Sequence, residues 1–280
     1  MSTIEKGMTV SVLDHGYVKY IDSMGSDETI IEAARMSTGK GFNGWDKDAG
    51  LLEFLWSKKH ATPFEMCELA LEIQAPIFVF REWHRHRTQS YNEFSARYAQ
   101  MPNIHYLPDL SRIQIQDKNN KQGSSGSVDE DYADMVIGEF RAEQDQTYEH
   151  YEQLIEEGVA KEIARLNTPV SRYSKMRAKT DLRNWLAFAD LRMRPNAQWE
   201  IRQFAKIVGN IIESIWPRTW HLFEEYTLYG VSFSRTEMKA LRTMLTTKFN
   251  GEEAAKDAGL SGRKLEEFVH KIAKGGLEIL

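Results

Sequence analysis

The sequence has one cysteine in 280 residues, Cys67. No disulfide can therefore form within the chain, and no cysteine-built zinc or iron–sulfur site is available. No run approaches the roughly 20 apolar residues that a membrane-spanning helix needs. The first residues, Met1-Ser2-Thr3-Ile4-Glu5-Lys6, lack the apolar stretch of a secretory signal. A reducing, cytoplasmic setting without a membrane partner is expected. Strong charge is also absent. The formal net charge is −5, which gives no global field to gather nucleic acid or an anionic surface. An anionic ligand must be held by a local group of arginines.

What is present suits an ordinary globular protein. Hydrophobic residues make up 41% and charged residues 28%, and this length buries a substantial core in one large domain or one domain plus an appendage. Apolar and polar residues alternate over 8–21, around Val10, Val12, Val18 and Tyr20, which predicts a hairpin turning at Asp14-His15-Gly16. Ser26-Asp27-Glu28 reads as a helix start, and a second helix is expected from about Asp46. Pro63 marks His60 to Glu65 as a loop. Residues 66–75 alternate as a strand, and Pro76 opens a helix over Ile77 to Arg87. A flexible insertion is expected over 111–130, centred on Asn119-Asn120-Lys121-Gln122-Gly123-Ser124-Ser125-Gly126-Ser127. Further helices are expected at about 129–157, 181–193, 196–214 and 217–228.

The division expected is a main domain over 1–230 and a helical extension over 231–280. In the extension, Met238, Leu241 and Leu245 suggest one amphipathic helix, and Glu252 to Ala258 and Gly262 to Ile272 suggest two more. Short helices around Gly-Leu-Ser-Gly are compatible with a helix-turn-helix. The acidic residues there nearly offset the basic ones, so a packing or assembly role is favoured over a nucleic-acid partner.

The chemistry concentrates in Glu82-Trp83-His84-Arg85-His86-Arg87 and Ser90-Tyr91-Asn92-Glu93-Phe94-Ser95-Ala96-Arg97-Tyr98. Glu82 lies three residues from Arg85 and four from His86, which places them on one helical face. Guanidinium groups make paired hydrogen bonds to phosphates and planar carbonyl-bearing rings. By itself an Arg-His-Arg is most simply a solvated basic helix end paired with nearby carboxylates.

Its context points further. Arg85-His86-Arg87 followed by seven residues and Ser95 resembles the signature of the flavin-dependent thymidylate synthases (the thymidylate synthase complementing protein family). His60-Ala61-Thr62-Pro63-Phe64-Glu65 is similar to an upstream segment of that family. Ala164-Arg165, Leu191-Arg192 and Ala197-Gln198-Trp199-Glu200-Ile201 are similar to its later half. The matches keep their order over about residues 8–230, with no counterpart seen for the tail.

The resemblance implies an α/β (α+β) subunit, a central mixed or antiparallel sheet flanked by helices, assembled as a homotetramer with active sites between subunits. It implies methylation of dUMP to dTMP, with methylenetetrahydrofolate as carbon donor, FAD as hydride carrier and NADPH as reductant. Thr62, Arg85, His86, Arg87, Glu93 and Arg183 would then bind the flavin. Glu82, Arg85, Ser95, Ala96, Arg97, Arg165 and Arg192 would bind dUMP, with Arg97 and Arg165 on the phosphate. Arg192 would be catalytic, favouring the charge that makes the pyrimidine C5 nucleophilic. Ser95 reads as a hydrogen-bonding ligand rather than a nucleophile, and Cys67 as core packing.

His60 is left open between a flavin contact and a structural role. His15, His105, His150, His221 and His270 show no ligand spacing, so no metal site is expected. Three departures stand out. Glu82 replaces a common glutamine and Ala96 a common glycine, while Asp181 and Asn196 replace an asparagine and a histidine. The rival readings are a related methylase or hydroxymethylase of another pyrimidine nucleotide such as UMP, and a flavin-binding scaffold with a nucleic-acid-binding tail.

Overall fold

The computed structural model describes residues 4–118, 123–238, 256, 260–262 and 264–268. The chain divides into two compact units, Met1–Tyr229 and Gly230–Leu280. The first begins with the expected hairpin, β1 (Thr9–Val12) and β2 (Gly16–Met24), then α1 (Asp27–Arg35) and α2 (Trp45–Ser57). Then come a short α3 (Thr62–Glu65), β3 (Glu68–Pro76), α4 (Ile77–Trp83) and β4 (Ser90–Glu93). A two-residue ribbon, β5 (Ile115–Gln116) and β6 (Ser124–Ser125), precedes the long α5 (Glu130–Glu156) and α6 (Lys161–Ala164). The unit closes with β7 (Tyr173–Asp181), α7 (Leu182–Arg192), α8 (Trp199–Ile215), α9 (Pro217–Phe223) and a π-helical turn at Glu224–Leu228.

One sheet organises these elements, in the order β1-β2-β3-β7-β4 with every neighbouring pair antiparallel. β3 shows why. Leu69, Leu71 and Ile73 are buried on one face, and Glu68, Glu72 and Gln74 alternate with them on the other. On that polar face Glu72 pairs with Arg177 at 2.9 Å and Glu68 with Lys179 at 2.6 Å. The apolar face is covered by α4, α7 and α8. Trp83 lies at its centre, its ring 4.5 Å from Phe188 and 6.3 Å from both Trp185 and Phe204. A smaller cluster of Ala96, Met101, Tyr148, Tyr151 and Ala164 joins α5 to the segment after β4.

Several expectations change here. β4 and the central strand β7 were not foreseen from the sequence. The buried face of β7 carries Ser174, Met176, Ala178 and Thr180, residues with weak strand preference apart from threonine. Pro63 does not hold 60–65 as a loop: it sits in the first turn of α3, where its missing N–H costs nothing. α4 stops at Trp83 rather than running to Arg87. The Tyr91 hydroxyl lies 3.2 Å from the carbonyl oxygen of Trp83, the last residue of α4, and 2.9 Å from that of His86 in the turn beyond, so the terminal carbonyl finds a partner outside the helix.

The residues expected as an insertion include the ribbon, and Arg112 beside it pairs with buried Glu200 at 3.1 Å and lies over the Trp199 ring; residues 119–122 lie outside the described residues. In the second unit 235–238 and 264–268 are helical. Most of the three helices expected there falls outside the described residues.

α1 and α9 are tied together by Asp27, which is 4% exposed. Its carboxylate accepts from the backbone N–H groups of Arg218 (2.9 Å) and Thr219 (3.1 Å) and from the Thr219 hydroxyl (2.6 Å), satisfying otherwise orphaned donors at the start of α9. Asp27→Ala is expected to lower stability by about 2 kcal/mol. Urea denaturation followed by tryptophan fluorescence checks this; a loss below 0.5 kcal/mol (roughly the floor for a cap) would deny Asp27 that role.

Candidate active site

Arg192 is the last residue of α7 and projects toward the turn that follows α4. Its Nη1 donates to Glu82 Oε2 at 2.6 Å, its Nη2 to the Glu82 carbonyl oxygen at 2.9 Å, and its Nε to His86 Nε2 at 3.0 Å. The Arg192 side chain is 16% exposed and that of Glu82 42%. The arginine is thus the fixed member of the pair.

Because Nε2 accepts, the imidazole is neutral and carries its proton on Nδ1. Burial, helped by the adjacent Arg192 charge, pushes the His86 pKa down to about 4. The ring packs edge-on against Phe188 at 4.9 Å. Arg85 and Arg87 are exposed, and neither makes a hydrogen bond to a described residue.

β4 carries the next group. Glu93 accepts the Ser174 hydroxyl at 2.7 Å. Ser95 Oγ accepts the backbone N–H of Arg97 at 3.3 Å, and no base among the described residues hydrogen-bonds to it as a nucleophile would require. The Arg97 side chain pairs with Glu162 of α6 at 2.9 Å, both ends about half exposed. Ala96 is buried in the smaller cluster, so its methyl has a packing site. Arg165 follows α6, and its guanidinium has no hydrogen-bond partner among the described residues.

A third group surrounds a cavity of about 460 Å³ whose lining includes Trp56, His60, Phe64, Arg183, Asp190 and Phe223. Arg183 pairs with Glu65 at 3.0 Å. Thr62 is exposed at the start of α3. Asp181 caps α7 by accepting from the Asn184 N–H at 2.9 Å, which gives that departure a local role. Cys67 is fully buried and its thiol is pushed up to about 12 by burial, so it stays protonated and packs. Sequence reasoning had not singled out Glu162 or Ser174 and had quoted Glu65 only within the 60–65 segment, yet each holds an expected site residue. All three are short-range polar partners supplied by other elements.

An antiparallel sheet with arginines gathered at its helix ends offers groups suited to an anionic, planar ligand. Residues 19–218 match the family model described as thymidylate synthase complementing protein, and residues 231–276 match the C-terminal domain of the same enzymes. A flavin-dependent thymidylate synthase of Thermus thermophilus is 41% identical over 269 residues, covering 96% of this chain and 97% of that protein. One from Wolbachia pipientis is 40% identical, covering 90% and 88%. Among solved structures, a UMP/dUMP methylase of Streptomyces cacaoi bound with 5-Br UMP superposes with a TM-score of 0.71 at 30% identity, covering 78% of this chain and 98% of that one.

The chain belongs to the flavin-dependent thymidylate synthase family. Its reaction is conversion of dUMP to dTMP with FAD, methylenetetrahydrofolate and NADPH. The tail, for which the motifs offered no counterpart, is thus matched within the family as well.

The neutral state of His86 carries a pH signature. Its folded pKa, about 4, lies below the ordinary value of 6.5. Between these values the unfolded chain binds more protons, so stability is complete above about pH 6.5 and is lost as pH falls toward 4. His86→Gln should show a smaller drop in thermal midpoint between pH 7 and pH 5 than the parent. Equal drops in a pair of calorimetric scans would mean that His86 does not titrate this way.

Proposed function

We propose that the three groups supply one kind of active site, completed by neighbouring subunits of a homotetramer in the cytoplasm. Among the described residues no helix is long and apolar enough to cross a membrane. Residues 1–230 serve as the catalytic domain and 231–280 as a helical extension. The observation that carries the reading is the triple anchoring of Arg192 by Glu82 and neutral His86. A guanidinium so held is preorganised and largely dry, and its charge is undiminished by the imidazole. Against a pyrimidine ring it stabilises the negative charge that makes C5 nucleophilic.

Thr62, Arg85, His86, Arg87, Glu93 and Arg183 are proposed to hold FAD, which supplies the hydride when bound. The cavity beside Arg183 fits such a group: Trp56, Phe64 and Phe223 give aromatic walls, and the guanidinium stands at the same lining. Glu82, Arg85, Ser95, Ala96, Arg97, Arg165 and Arg192 are proposed to hold dUMP, Arg97 exchanging Glu162 for the phosphate.

A second reading has one specific support, the likeness to the Streptomyces cacaoi UMP/dUMP methylase. It predicts kcat/KM for UMP within tenfold (about 1.4 kcal/mol) of that for dUMP, whereas the reading favoured here predicts dUMP ahead by more. Arg192→Ala is expected to abolish dTMP formation while the flavin absorbance of the purified protein persists. Loss of flavin together with activity would place Arg192 on the cofactor instead.

A further inference from the structure

The core-facing row of β7 changes character toward the start of the strand. Residues two apart share a face, so Thr180, Ala178, Met176 and Ser174 form one row and Arg172 continues it just before the strand. Ala178 and Met176 lie in the main core. Ser174 then gives its hydroxyl to Glu93, whose own strand pairs Glu93 with Met176 and so directs it to the same face. At Arg172 the row ends on a partly buried guanidinium.

The backbone of Arg172 is fixed. Its N–H donates to the Pro169 carbonyl at 3.2 Å, its carbonyl accepts from the Ile77 N–H at 3.0 Å, and it forms a β-bridge with His105. Its guanidinium, in contrast, makes no hydrogen bond or ion pair with any described residue. Burial opposes its charge most, Glu93 favours it, and Arg165 opposes it. The Arg165 side chain likewise has no partner among the described residues. The charges of Glu93 and Arg165 thus both act on Arg172, and the Glu93 carboxylate is already engaged by Ser174. A guanidinium left unpaired and half withdrawn from water is stabilised when an anion joins it. Its planar donors suit a phosphate better than any other common anion except a carboxylate.

We propose that Arg172 is a further phosphate-binding residue, gripping the 5′-phosphate monoester of the pyrimidine nucleotide together with Arg165. The inference rests on the reading of Arg165 as a phosphate ligand. Arg172 acts on binding and orientation and takes no part in the chemical step. It also adds a cation free of any carboxylate pair among the described residues to a site in which Arg97 is shared with Glu162.

The test uses the full-length, FAD-loaded enzyme and two probes, dUMP and deoxyuridine, which lacks the phosphate. For Arg172→Met the dissociation constant for dUMP, read by calorimetry, should rise roughly 10- to 100-fold, in line with loss of a charge-assisted pair. KM should follow while kcat changes less than about threefold, as expected for uniform binding. Deoxyuridine binding should stay unchanged, and Arg172→Lys should fall between parent and Met. Unchanged dUMP affinity overturns the proposal. So does equal weakening of both probes, which would make Arg172 a support for Glu93. Should Arg172→Met not fold, judged by circular dichroism, Arg172→Lys and Arg172→Gln carry the same comparison. If the parent enzyme itself binds dUMP no tighter than deoxyuridine, the phosphate reading of Arg165 fails as well, an outcome distinct from failure of Arg172 alone.

Discussion

The pairing of β3 with β7 runs residue for residue from Glu68↔Asp181 to Pro76↔Tyr173, and both ends of that ladder serve the site. At one end Leu182 donates its N–H to the Cys67 carbonyl at 2.8 Å, which sets α3 beside the start of α7 and brings Glu65 to Arg183. At the other end Ile77 donates to the Arg172 carbonyl, which sets the start of α4 beside the residue where β7 begins. α4 and α7 then both cross the apolar face, and their far ends meet as Glu82, His86 and Arg192. The ladder spans eight residue steps, about 27 Å. A slip of one residue would turn outward either Leu69, Leu71 and Ile73 of β3 or Met176 and Ala178 of β7, and would separate each of these pairs. Register here is set by the core, and the site inherits it.

Electrostatics follow the same division between dry and wet. Where side chains leave the core, charge is either matched or suppressed. His86 is held neutral, Cys67 protonated, and Asp27 matched by three donors. At the end of α7 the charge is carried by an arginine, whose guanidinium does not give up its proton. Arg192 therefore retains a full positive charge beside a neutral imidazole.

How much of this was legible in the sequence depends on where each signal lay. β3 was readable because large aliphatic residues alternate with charged ones, and α5 because Asp129 caps a long amphipathic run. β7 was not, although Lys175, Arg177 and Lys179 alternate strictly with Met176, Ala178 and Thr180. Alanine and threonine on the inner face weigh little in a search for apolar residues, and the small side chains are tolerated because β7 is central. The end of α4 depended on Tyr91, eight residues from Trp83, a contact that no local propensity contains. The motif residues could be picked out in sequence. Their partners Glu162 and Ser174 could not, since each comes from an element whose position only the tertiary fold decides, and Glu65 was visible as the end of the 60–65 segment but not as the partner of Arg183.

Glu82 shows how a departure from a family pattern can be absorbed. A glutamine there could offer Arg192 a neutral oxygen; the glutamate offers a charge at 2.6 Å. Were that carboxylate the only anchor, a substrate oxygen competing for Nη1 would leave Arg192 loose. It is not the only one. The Glu82 carbonyl oxygen holds Nη2 and His86 holds Nε, and both acceptors are fixed by backbone or by the packing of the ring on Phe188. The Glu82 side chain is also the more exposed partner, so releasing it into water costs less than moving the arginine. The ion pair can therefore open on one side while the guanidinium keeps its place, and the orientation of Arg192 depends on its two fixed acceptors rather than on the charge of residue 82.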